Sequence, residues 1–96
     1  ISSDGTTITK VASLEHDTDN GTFNSLVQVD SDTYALAYAG AGAGSTNDGF
    51  ISTFTIDSDG TITAVKTQSE GNNLGHDTDN GGHNSLVQVD SDTYAL

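Results

Sequence analysis

Apolar residues recur along this chain at every second position, and no stretch shows the three-to-four spacing of a helix. In Thr33 to Ala39 (TYALAYA), Tyr34, Leu36 and Tyr38 alternate with Ala35, Ala37 and Ala39. In Phe50 to Ile56 (FISTFTI), Phe50, Phe54 and Ile56 alternate with Ile51, Thr53 and Thr55. A period of two predicts strands whose bulky side chains share one face and whose small side chains share the other. Polar turns separate the runs. Ser25 to Val29 (SLVQV), the turn Asp30-Ser31-Asp32 and Thr33 to Ala39 predict one hairpin. Phe50 to Ile56, the turn Asp57-Ser58-Asp59-Gly60 and Thr61 to Thr67 (TITAVKT) predict a second, with Gly60 where the turn needs a left-handed residue. Two longer polar segments, Gly40 to Gly49 and Gln68 to Asn80, read as loops.

The four-strand unit returns. Leu14 to Leu36 (LEHDTDNGTFNSLVQVDSDTYAL) and Leu74 to Leu96 (LGHDTDNGGHNSLVQVDSDTYAL) lie 60 residues apart and differ only at Glu15/Gly75, Thr22/Gly82 and Phe23/His83. A shorter echo links Ile1 to Thr6 (ISSDGT) with Ile56 to Thr61 (IDSDGT). The chain thus divides into residues 1–13, the last strand of one unit; residues 14–73, a complete repeat; and residues 74–96, the first two strands of the next. An all-β fold of four-stranded antiparallel meanders, about 1.6 per chain, is the expected class. Sheets with bulky residues on one face and alanines on the other suit being sandwiched between neighbours, as in the blades of a β-propeller. A sandwich or a solenoid accounts less well for a near-identical unit that returns after 60 residues.

Composition narrows the partners. The formal net charge is −12 with Lys10 and Lys66 as the only cations, which argues against nucleic acid and anionic membranes, since both require basic patches. No apolar run approaches the ~20 residues of a membrane-spanning helix. Twelve of the fourteen acids are Asp, most beside Ser, Thr, Asn or Gly, as turn residues are. Short acids with almost no lysine also suit a salty or calcium-rich exterior, so an extracellular or cell-surface parent is expected. Without cysteine there is neither a disulfide nor a zinc-thiolate site to brace so small a fold, which leaves oligomerisation. The chain opens on Ile1, not Met, as a processed or excised segment would.

The run HDTDNG…NSLVQVDSDTYALAYAG…GFISTFTIDSDGT resembles tandem β-propeller repeats of bacterial, in particular marine, surface proteins over the whole chain. That resemblance implies a propeller and no particular activity. The acidic, Gly-containing segment Asp17 to Asn24 also resembles the FG-GAP blades of integrin-type propellers, though one residue out of their register, and that likeness implies calcium. The oxygens of Asp17, Asp19, Asn20 and Asn24, with Asp77, Asp79, Asn80 and Asn84 in the second copy, are of the hard type that calcium takes. The structural alternative is that the same residues build a tight connection by bonding their own backbone. His16, His76 and His83 lack the spacing of a transition-metal site.

No nucleophile is paired with a base, and every Asp sits in a turn of the same repeated kind, so no catalytic residue is singled out. Gly40 to Gly44 (GAGAG) lacks the helix and the lysine of a phosphate-binding loop. Two functional classes remain. One is a non-catalytic structural element that assembles with itself into a cyclic homo-oligomer. The other is an adhesion module whose repeated loops hold a glycan or protein ligand, supported by calcium. Few exposed aromatics favour the first. On this reading Thr7 to Ala12 is a fourth strand, and Ser85 to Leu96 is a hairpin that joins the N-terminal strand of the next chain in a composite blade. With one intact and one composite blade per chain, a dimer would close a ring of about four blades, a trimer about six and a tetramer about eight, all within the range that propellers use, and the trimer is the favoured expectation.

Overall fold

The computed structural model describes residues 1–17, 20–41, 48–66, 74–77 and 80–96. It is all-β and antiparallel, with no helix among the described residues. β1 (Thr22–Gln28), β2 (Thr33–Gly40), β3 (Asp48–Ile56) and β4 (Ile62–Lys66) lie side by side in sequence order, and β5 (Leu74–Asp77) joins the same sheet through β3. β6 (Val87–Asp90) and β7 (Thr93–Ala95) form a separate two-stranded hairpin.

The register follows from the alternating pattern. Tyr34 faces Phe54, Leu36 faces Ser52 and Tyr38 faces Phe50 across β2 and β3, while Leu26 faces Leu36 and Ile56 faces Ile62 on the flanks. Cross-strand partners share a face, so one face carries the aromatic residues and Leu36, while the other carries Ala35, Ala37 and Ala39 with Val27 and Ile51 opposite them. On the bulky face Leu36, Tyr38, Phe50 and Phe54 form the core, with Ile62 and Ala64 packed against it. Tyr38 is fully buried, and its hydroxyl accepts a bond from Ser52 Oγ at 3.5 Å.

Both hairpin turns form as expected. Val29 N donates to Thr33 O at 2.8 Å across the first, and Gly60 adopts φ 87° in the second, where its amide donates to Asp57 O at 2.8 Å. Three segments depart from expectation. Thr7 to Ala12 pairs with no strand and instead sets Val11 against the second turn, where it lies in the space a Cβ on Gly60 would take. Leu74 to Asp77, expected as loop, is β5, since β4 covers β3 only over Thr53 to Ile56 and leaves Gly49 to Ile51 open for pairing. Ser85 to Leu96 forms its hairpin with shorter strands than the same residues form in the first repeat.

Candidate functional site

The two acidic loops bracket the end of the sheet where β2 and β3 meet. In each loop the leading aspartate turns the chain by bonding its own backbone. Asp17 Oδ1 accepts from Asn20 N at 2.9 Å, and Asp77 Oδ1 accepts from Asn80 N at 3.1 Å. The trailing asparagine closes each loop: Asn24 Nδ2 donates to Gly21 O at 3.1 Å, and Asn84 Nδ2 to Gly81 O at 2.7 Å. These are the bonds that the structural alternative requires. Asp19 and Asp79 lie outside the described residues.

The loops approach opposite faces. In the first repeat His16 stands edge-on to Tyr38, with ring centroids 4.7 Å apart, and Asp17 lies over Gly40, where a Cβ would collide with its Oδ2. Tyr38 and Gly40 belong to the bulky face. In the second repeat the His76 ring lies where a Cβ on Gly49 would point, and the backbone of Gly81 rests on Gly49. Gly49 pairs with Ala39 and so belongs to the small face. Glycine is needed at Gly40 and Gly49 because another chain segment occupies the space of the side chain.

Asp48, which pairs with Gly40, is a buried carboxylate on the bulky face, the face on which Asp17 lies over Gly40, and its Oδ1 has no hydrogen-bond partner among the described residues. The polar segment Gly40 to Gly49, read as a loop, includes Asp48. The signal that could have found it is its position, immediately before the apolar run of β3. His16 Nε2 is likewise buried without a hydrogen-bond partner among the described residues. Among the described residues no group of three or more His, Asp or Glu is placed to hold a metal ion.

Beyond the loops, residues of the second repeat meet residues in and next to β1 of the first, one equivalent pair among them. The rings of Phe23 and His83, which occupy the same position in the two copies, stand 4.9 Å apart. Both take left-handed backbone, at φ 53° and 63°, a conformation uncommon for any residue but glycine. Asn84 Nδ2 also donates to Phe23 O at 3.2 Å, Leu86 N to Ser25 Oγ at 2.9 Å, and Tyr94 Oη to Val29 O at 3.3 Å. Ser25 pairs with Ala37, so the contact of its hydroxyl with Leu86 lies on the small-residue side.

No protein-family model matches the chain, and no curated protein or solved structure is similar to it.

Proposed function

We propose that the chain is a structural element that assembles with itself, its sheet serving as one blade of a β-propeller completed by a cyclic homo-oligomer, and that it carries no catalytic activity. The observation that supports this reading is the contact of Phe23 with His83, its own equivalent 60 residues on. Contact between equivalent residues is what a repeated rotation of like units produces, and such a rotation, continued through further copies, closes a ring. Three copies is the proposed number. The acidity of the surface, −12 per chain, leaves nucleic acid and anionic membranes outside the proposed partners.

Light scattering in buffered salt at tens of micromolar chain tests the reading. A single species of three chains is expected, and a folded species of one chain would overturn it.

A calcium-supported form of the same assembly is favoured by one observation. Asp48 places a buried carboxylate on the face where Asp17 lies over Gly40, its cross-strand partner, and a hard cation is one partner that two carboxylates so placed can share. If the pair holds calcium, excess chelator lowers the melting temperature, because a ligand bound only to the native state adds stability. An unchanged melting curve returns both loops to a purely structural role.

A further inference from the structure

The two repeats carry identical hairpin residues in different surroundings. Leu26, on the bulky face of the first repeat, is 59 % exposed, whereas its equivalent Leu86 is half-buried where its amide meets Ser25. On the small-residue side the order reverses. Val27 and Val29 of the first repeat are half-buried, whereas Val87 and Val89 of the second are 55 % and 64 % exposed. The junction inside the chain therefore covers the small side of the first repeat with the bulky side of the second. What remains open is the reciprocal pair, the bulky side of the first repeat and the small side of the second, together with Leu96 at the end of the second repeat's bulky side.

The first of these surfaces is an open apolar groove of about 200 Å³, lined by Leu14, Leu26, Tyr34, Leu36, Phe54 and Ile62 among others. The second is the valine side of the β6–β7 hairpin. We infer that the groove receives the Val87 and Val89 side of the β6–β7 hairpin from a second copy of this chain, repeating between chains the junction that already joins the two repeats within one. The inference rests on the assembly reading and names the surfaces that carry it. The occupant is a second copy because the surface that fits this groove is built into the same sequence. Residues 84–96 repeat residues 24–36 without a difference, and within the chain this segment's two sides already meet. The contact is heterologous, one surface on each partner, so each chain presents both halves. Burial of the exposed leucine and valines supplies the driving force.

Two variants separate the halves. Leu26→Asp spoils the groove and leaves the hairpin intact, and Val89→Asp does the reverse. Both positions are exposed within the chain, so each variant should keep the wild-type circular dichroism; should either fail to fold, Leu26→Asn or Val89→Thr takes its place. Each variant alone is expected to sediment at the mass of one chain, 9.8 kDa. An equimolar mixture is expected to give a species of two chains and nothing larger, because only one junction can form. If either variant keeps the wild-type oligomeric mass, the proposed surfaces are wrong while the assembly reading stands. If the wild type is itself a single chain, the assembly reading fails and this inference with it.

Discussion

Asp4 and Asp59 occupy the same place in two turns that the sequence writes almost alike, ISSDGT and IDSDGT. Each carboxylate accepts the amide of the threonine two residues on, Thr6 at 3.0 Å and Thr61 at 2.9 Å, and each is followed by a glycine of positive φ. Asp4 also accepts from the Ser2 hydroxyl at 2.6 Å and the Thr6 hydroxyl at 2.8 Å. These bonds, led by the Ser2 hydroxyl, lower its pKa from 3.8 to about 2; Asp59 is lowered as well, chiefly by the Thr61 amide. A depressed folded-state pKa favours the ionised carboxylate. The turn's contribution is therefore present in full above pH 3.8 and is lost as pH falls through about 2. Carboxyl chemical shifts followed by NMR should titrate Asp4 near 2, and Ser2→Ala should move the midpoint upward; a wild-type midpoint at 3.8 would show that the bonds do not persist in solution. Turns of this kind were legible because Asp-Gly chemistry is local. Asp48 was not, since its burial depends on β2 and on a loop that arrives from elsewhere in the chain.

The strand pattern was readable wherever pairing is between neighbours in sequence. β1 with β2 and β3 with β4 are hairpins, and both were evident from period-two runs about a short turn. β5 could not be read so, because LGHD has no alternation to betray it and becomes a strand only where β3 offers an unfilled edge. Its counterpart Leu14 to Asp17, nearly the same in sequence, finds no such edge and stays irregular. The same dependence on a partner sets the effect of one substitution. A Cβ at Gly81 would collide with backbone atoms of Gly49, which cannot step aside, whereas at Gly21 it meets only the His16 ring. Gly81→Ala is expected to lose about 1–3 kcal/mol in urea unfolding through overpacking, and Gly21→Ala less. Equal losses at the two positions would show that the second loop does not rest on the sheet as described.

At the scale of the whole molecule, Phe23 stands against its own equivalent 60 residues on, His83, whereas the neighbouring contacts between the two copies join residues that are not equivalent. Which face of the sheet each loop would meet was not written in either copy, because the copies are nearly the same and only their surroundings differ. That sameness reaches back to the moment of folding. Residues 24–36 and 84–96 are interchangeable, so two rival segments compete for one site beside β3. The first has the advantage of proximity, since a short connection closes at lower entropic cost than one running from β3 to the C-terminal hairpin. Between molecules no such advantage exists, and the hairpin of one chain is a competent substitute for that of another. Refolding yield should therefore fall as chain concentration rises, with exchanged and entangled species taking the difference; a yield independent of concentration would mean that the nearer copy always wins.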